Sequence, residues 1–418
     1  AGTVTGNTSS LEIGNWPVGG DYDTIGYIDE FRISSTARSA DWIATEYNNQ
    51  NSPGTFYSLN SETARSAVNI AGDNISTDWY TPPAGGGAGT DWKYRRKITV
   101  DHTKVPNTDQ SEFPMLVKIA DSTDPIFTKA QADGDDILFT NSQGSTKLAH
   151  ELETFSTSSK EMWAWVKIPT LATASDTVIW LYYGNGTVAS QQNATGVWSN
   201  GYVAVYHMDE DQAGTGNVDL YQDSTSNNND GDDYVSDTTK TGKVGSGQKL
   251  DGTDDNVRIP DSASLHLTNS FTLQTWFKSS VAENDMGLIG SKAAGNPQIR
   301  FRAMTPAAIQ IAGLEVADSD GVGGGSNFGT ANNSDGSWHA ITSIVDGTND
   351  LLQGYVDGVQ KLSTAYATTG NWNTAATWYI GGTDQFSYFY YIDASVDEVR
   401  ISSSVRSADW IATEYNNQ

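Results

Sequence analysis

The sequence contains no cysteine. Neither a disulfide framework nor a thiolate metal site is open to it, and its cores must be stable by packing and by whatever cations its oxygen atoms hold. Basic residues are scarce: Lys and Arg total 24 against 51 Asp and Glu, a formal net charge of −27. A surface of that sign repels polyanions, which argues against nucleic acid and anionic membrane as partners. No run of 18 apolar residues occurs, so no membrane insertion is expected. The five histidines, at 102, 150, 207, 266 and 339, include no i, i+4 pair, and the spacing signals no zinc centre. His207 and His339 sit inside strand patterns and read as core or interface residues. The Gly-rich stretch 321–327 is not followed by Lys-Ser/Thr, which excludes a phosphate loop.

What is abundant is Gly (41), Tyr (19), Trp (13) and Phe (12), set among Thr, Ser, Asn and Asp. Short apolar runs broken by turn residues imply an all-β fold of antiparallel β-sandwich or jelly-roll domains in tandem. Sequons begin at Asn7, Asn74, Asn185, Asn193 and Asn332 and permit glycosylation of an extracellular, cell-surface chain.

The strongest single feature is a repeat. Residues 28–50, IDEFRISSTARSADWIATEYNNQ, return at 396–418 as VDEVRISSSVRSADWIATEYNNQ, identical at 19 of 23 positions and differing at 28, 31, 36 and 37. So little drift indicates a tandem array. Two strands and a short helix over 39–47, with Ser39 as N-cap and Asp41 in the first turn, are too little to bury a core alone. Residues 1–62 therefore read as the C-terminal strands and helix of an upstream repeat, closed by a strand at 55–59. Residues 63–91, rich in Gly and Pro at their end, read as a linker. The later copy at 201–418 is expected to lack its last strand.

Between 92 and 200 the runs YRRKITV, FPMLVKI, DILFTN, KLAHELETF, EMWAWVKI and TVIWLYYGN read as strands. The words Trp92-Lys93-Tyr94-Arg95-Arg96-Lys97-Ile98, Phe113-Pro114-Met115-Leu116-Val117, Asp136-Ile137-Leu138-Phe139, Glu151-Leu152-Glu153, Trp165-Val166-Lys167-Ile168-Pro169 and Leu181-Tyr182-Tyr183-Gly184-Asn185 resemble domain-of-unknown-function family 2341, a family with no settled activity. From 201 onwards the opening LDGTDDNVRIP, the strand FTLQTWF, the hairpin YVDGV with its Asp357-Gly358 turn, and the ending DEVRI resemble a laminin-G-like, concanavalin-A-type jelly roll.

Enzymes of that jelly-roll class carry paired carboxylates on one strand face. The nearest local approach, Glu283-Asn284-Asp285, reads as a solvated loop. Glu151 and Glu153 do alternate onto one face, but no neighbouring constellation marks them as acid and base, so no enzyme is expected. Hard cations take oxygen ligands at turns, and Ca²⁺ is the expected structural cofactor. Candidate ligands are Asp223, the turn Asp251-Gly252-Thr253-Asp254-Asp255, and Asp397. The resemblance implies the role for Asp397 in the final strand, with Asp29 as its copy. A ligand or subunit contact needs aromatics on exposed loops: Trp372, Phe386, Tyr388 and Tyr390 are the candidates.

Two functions are compatible with these features. The chain is a structural repeat unit of an extracellular filament or adhesin, with adjacent repeats or copies of itself as partners. Alternatively, it is a carbohydrate-binding module with glycans as partners.

Overall fold

The computed structural model describes residues 57–60, 63–64, 92–211, 216–281, 286–292, 298–304, 311–317, 321, 323–328, 332–367, 372, 375–385 and 388–418. All of them fall within one compact unit, Gly54–Gln418. Asp29, Phe386 and the Glu283-Asn284-Asp285 turn lie outside the described residues, as do the strands and helix expected over 1–50.

Antiparallel sheets account for most of the regular secondary structure among the described residues, as the alternating runs require. In the first sandwich one sheet runs in the order Tyr57–Leu59, Tyr94–Val100, Thr177–Tyr183, Leu138–Asn141, Lys147–Leu148, with Thr63–Ala64 also on Tyr94–Val100. The other has Gln110–Ile119 at one edge, Glu161–Leu171 in the middle and His150–Ser156 beyond. Their inward residues, among them Ile98, Val100, Phe113, Met115, Phe139, Val166 and Leu181, form one core. The motif words of this region meet at a buried carboxylate. Asp136 accepts backbone N–H bonds from Gly184 (2.7 Å), Asn185 (2.8 Å) and Gln131 (2.9 Å). These two words are thus explained by structure: one side chain pins two loops by satisfying backbone donors that burial would otherwise strand.

The run expected to close an upstream domain goes elsewhere. Tyr57–Leu59 pairs with Tyr94–Val100, Tyr57 opposite Val100 and Leu59 opposite Ile98, and Thr63–Ala64 continues along the same strand. Edge strands carry unpaired backbone groups, and these two short upstream strands satisfy those of Tyr94–Val100.

The second sandwich pairs a seven-stranded sheet with an eight-stranded one. The first contains Tyr202–Tyr206, Asp393–Ser402, Ser270–Lys278, Trp338–Asp346, Leu351–Val356 and Val359–Ala365, with Gln248–Asp251 on the far part of Asp393–Ser402. Phe271, Leu273 and Phe277 face inward to the shared core, while Gln274 and Trp276 on the opposite face meet the C-terminal helix. The Asp357-Gly358 hairpin forms as the dipeptide predicts, both residues at positive φ (52° and 73°).

The chain ends in the helix Ala408–Asn417. Its N-cap Ser407 accepts from Trp410 N, and Asp409 stands in the first turn, the features read from the earlier copy at Ser39 and Asp41. No helix among the described residues is long and apolar enough to cross a membrane.

Candidate functional site

The two sandwiches meet along a polar joint, and the repeated C-terminal stretch builds most of it. The final strand Asp393–Ser402 carries a β-bulge opposite Ser270–Lys278. Gln274 pairs with Arg400 and Trp276 with Asp397, so one strand has an extra residue there. Glu398 takes the left-handed conformation, φ 51°. Val396, Val399 and Ile401 all belong to the inner core, a spacing of three and then two. The bulge therefore leaves Asp397, Glu398 and Arg400 together on the outer face, where a regular strand would have turned one of them inward.

The first sandwich faces them with Glu151 and Glu153, both on His150–Ser156, and with Trp165 and Trp198. His207, just after the strand Tyr202–Tyr206, lies between. Its Nδ1 is 2.7 Å from Glu398 Oε1 and 3.6 Å from Glu153 Oε2, and its Nε2 is 3.2 Å from Glu151 Oε2. Trp165 Nε1 donates to Glu153 Oε2 (2.8 Å), Trp198 Nε1 to Glu151 Oε2 (2.5 Å) and Ser224 Oγ to Glu151 Oε1 (2.7 Å). Arg400 donates to Glu398 Oε2 (2.5 Å) and to Glu414 Oε1 on the helix (2.8 Å). Gln274 and the hydroxyl of Tyr202 also donate to Glu414. The Arg400 guanidinium lies over the rings of Trp165 (4.6 Å) and Trp198 (4.8 Å).

The helix completes the joint by holding both sandwiches. Asn417 pairs with the backbone of Leu116 in both directions, accepting from its N–H (2.7 Å) and donating to its carbonyl (3.1 Å), so it covers part of an edge strand of the first sandwich. Asp409 accepts from Asn107 (2.9 Å) and Thr108 (2.8 Å), and Asn416 donates to Lys104 O. Trp410 enters the first sandwich's core, edge-on to Phe113 at 5.0 Å. On the opposite side Tyr415 stacks on Trp276 (5.8 Å), whose Nε1 donates to Gln418. A small cavity, about 20 Å³, lies between helix and sheet, beside Gln274, Arg400 and Glu414.

Burial sets the electrostatics. For His207 it opposes the charge, but Glu398 and Glu151 outweigh it and hold the pKa well above the imidazole value of 6.5. For Glu398 burial is again opposed, by His207 and Arg400, and the carboxyl stays below its usual range. Burial, followed by the charge of Glu398, drives Glu153 and Asp397 well upward. His207, Glu153 and Asp397 therefore bind more protons folded than unfolded. Their contribution to stability is present below their ordinary pKa values and is lost as pH rises through the folded ones. We expect the urea midpoint, measured in chelator, to fall as pH is raised from 6.5, and the His207→Gln protein to lose part of that slope; a flat midpoint up to pH 9 would contradict the assignment.

Residues 251–412 match the concanavalin A-like lectin/glucanases superfamily. Residues 133–232 match the family described as domain of unknown function DUF2341. That second match runs past residue 200 into the lectin-like sandwich and takes in Glu151, Glu153, Trp165, Trp198, His207 and Ser224. The lectin-like match takes in Asp397, Glu398 and Arg400. No curated protein matches the chain. Among solved structures, domain 4 of AbnA, a GH43 extracellular arabinanase from Geobacillus stearothermophilus, is similar at 20% identity and TM-score 0.36, over 52% of this chain and 98% of that one. The binding domain of botulinum neurotoxin serotype D is similar at 13% identity and TM-score 0.38, over 53% of this chain and 52% of its own. The CBM40 of Ruminococcus gnavus IT-sialidase is similar at 13% identity and TM-score 0.34, over 40% of this chain and 94% of its own.

The candidate residues read from sequence are dispersed in the lectin-like sandwich. Trp372 is not on an exposed loop: it is 3% exposed in the core, edge-on to Phe271 at 5.1 Å, because its bridge to Leu267 draws it inward. Tyr388 and Tyr390 lie on the strand Tyr388–Tyr391, paired with Gly382–Gln385. Asn185, read as a sequon, is 1% exposed and out of reach of a glycan.

The acids named for Ca²⁺ are not drawn to one point. Asp223 spends both oxygens on donors, from Val205 and Thr225 on one and from Thr225 Oγ1 and Asn229 on the other. Asp397 Oδ2 accepts from Lys243 N and Val244 N. Neither belongs to a group of three acidic or imidazole ligands within 4.8 Å among the described residues, whereas Asp251, Asp254 and Asp255 form one. Gly252 holds that turn at φ 74°, where a Cβ would strike Asp393.

Sequence reasoning placed Glu151 and Glu153 on one face but attached no partner to them. No local pattern marks His207, Glu398, Arg400 and Glu414 as a set. The available signal was the repeat itself, since Glu30, Arg32 and Glu46 duplicate the last three.

Proposed function

We propose that this chain is a structural repeat unit of an extracellular surface protein, a filament or an adhesin, in which the two sandwiches act as one stiff body. The observation that carries this reading is the helix Ala408–Asn417, which is bonded at once to the backbone of the first sandwich through Asn417 and to the sheet of the second through Glu414. A ligand-binding domain on a flexible tether has no need of such a clamp. Its near-verbatim copy at 28–50 is consistent with the joint recurring along an array, with adjacent repeats as partners. The reading is non-catalytic. Glu153 is sealed, and both it and Glu151 are bound by indole N–H groups. End-to-end assembly of the purified chain under the electron microscope is the expected result, and particles that stay single at high concentration would count against it.

The match of residues 251–412 to a lectin superfamily supports a second reading, a glycan-binding module. In that case a glycan array gives discrete hits, and Tyr388→Ala or Tyr390→Ala removes them. We assign a structural Ca²⁺ to the turn at 251–255, where three carboxylates converge. Added Ca²⁺ is expected to raise the melting temperature of the chelated protein by a few degrees, consistent with linkage of about 1–3 kcal/mol. The Asp251→Asn protein should not respond.

A further inference from the structure

The joint contains more buried acid than its bases neutralise. Glu151, Glu153, Asp397, Glu398 and Glu414 all have side chains that are buried or nearly so, and among the described residues the cationic side chains paired with them are His207, on Glu151, Glu153 and Glu398, and Arg400, on Glu398 and Glu414. Two other cations beside the joint face aromatic rings: Lys243 lies over Trp276 at 4.3 Å, and Arg406 lies over Tyr202 and Trp410. Buried charge without a counter-charge is among the most costly things a fold can carry.

Two further observations locate the deficit. The side chain of Glu153 is wholly buried, and its Oε1 receives no hydrogen bond; Asp397 is wholly buried, and its Oδ1 receives none. Both sit beneath the same short turn, 243–247. Its Lys243 and Val244 N–H groups hold Asp397 Oδ2, and a Cβ at Gly245 would come within 2.5 Å of Glu153 Oε1. Ligand atoms of Glu153, His207 and Glu398 lie within 4.8 Å of one another.

We propose that Glu153, His207 and Glu398 bind a divalent first-row transition-metal cation that staples the two sandwiches together. One imidazole nitrogen and two carboxylates are a donor set for Zn²⁺, Mn²⁺ or Fe²⁺ rather than for Ca²⁺. Each donor already has an outer partner of the kind that orients a ligand. Glu151 holds His207 Nε2, leaving Nδ1 turned to the two carboxylates; Trp165 holds Glu153; Arg400 holds Glu398. The cation takes the place of the protons held on His207 Nδ1 and on the Glu153 carboxyl, which leave to solvent. Asp397 Oδ1 is the nearby oxygen still without a donor. Because Glu153 comes from the first sandwich and Glu398 from the second, the ion cross-links elements 245 residues apart in sequence, the difference between those two positions.

The test refolds the full chain from chelator and urea with one equivalent of Zn²⁺, or of Co²⁺ as a spectroscopic probe. Retention of one equivalent after desalting is expected, with visible Co²⁺ bands of a site with nitrogen and oxygen ligands and a rise in melting temperature. Glu153→Gln should abolish retention. Should that protein not fold, Glu151→Gln, which touches only the outer partner of His207, should weaken binding by about 10–100-fold. Asp251→Asn should leave it unchanged, which separates this site from the turn at 251–255. No retained metal in the wild type, or full retention in both the Glu153 and Glu151 variants, overturns the proposal.

Discussion

Replacing Trp410 by alanine is expected to lower the unfolding free energy by about 3–5 kcal/mol, the range for a large aromatic removed from a well-packed core. The ring is 5% exposed and packs edge-on to Phe113, with the Arg406 guanidinium 4.5 Å from its centre. What sets this residue apart is where its energy goes. It is attached to the second sandwich through the helix but buried in the first, so its loss acts on docking more than on either sheet. Calorimetry of the wild type should show one cooperative transition, and that of Trp410→Ala should show two, with the first sandwich melting earlier. A single transition shifted as a whole would mean that the other contacts at the joint are enough to couple the two bodies.

Arg400→Met has a comparable expected effect for an electrostatic reason. Methionine keeps much of the aliphatic stem but removes the guanidinium from over Trp165 and Trp198, and it leaves Glu414 without its cation and Glu398 with His207 alone. Breaking a buried ion pair from one side typically costs about 3–5 kcal/mol, because the remaining charge stays buried. Urea unfolding measures the loss, and adding Glu414→Gln should recover part of it, since the second change removes one of the stranded charges. If the double variant is less stable by the full sum of the two single losses, the residues are not coupled and the network is misassigned.

Much of the local structure was legible. Alternating apolar residues in FTLQTWF and EMWAWVKI placed strands at Ser270–Lys278 and Glu161–Leu171. Asp357-Gly358 fixed a hairpin because both positions need positive φ, and Ser407 with Asp409 marked a helix start. These are short-range effects, set by pleat, turn and cap chemistry among neighbours in the chain. The joint was not legible in the same way. Alternation alone assigns Glu398 and Arg400 to one face and Asp397 to the other, and only the bulge at Glu398 brings all three outward. Trp372 has the flanks of a loop aromatic, since Gly370, Asn371 and Asn373 are turn residues; an isolated bridge to Leu267, remote in sequence, and packing on Phe271 bury it.

By itself, then, the sequence determined that this is an all-β protein of tandem antiparallel sandwiches and that one strand-and-helix stretch occurs twice. The tertiary structure decided what the later copy, 396–418, does. Docking two sandwiches brings Glu153, His207, Glu398 and Glu414 together from far-separated segments, removes them from water, and thereby makes their charges depend on one another. Nothing in a local pattern encodes that desolvation, because it arises only when a second surface closes over the first.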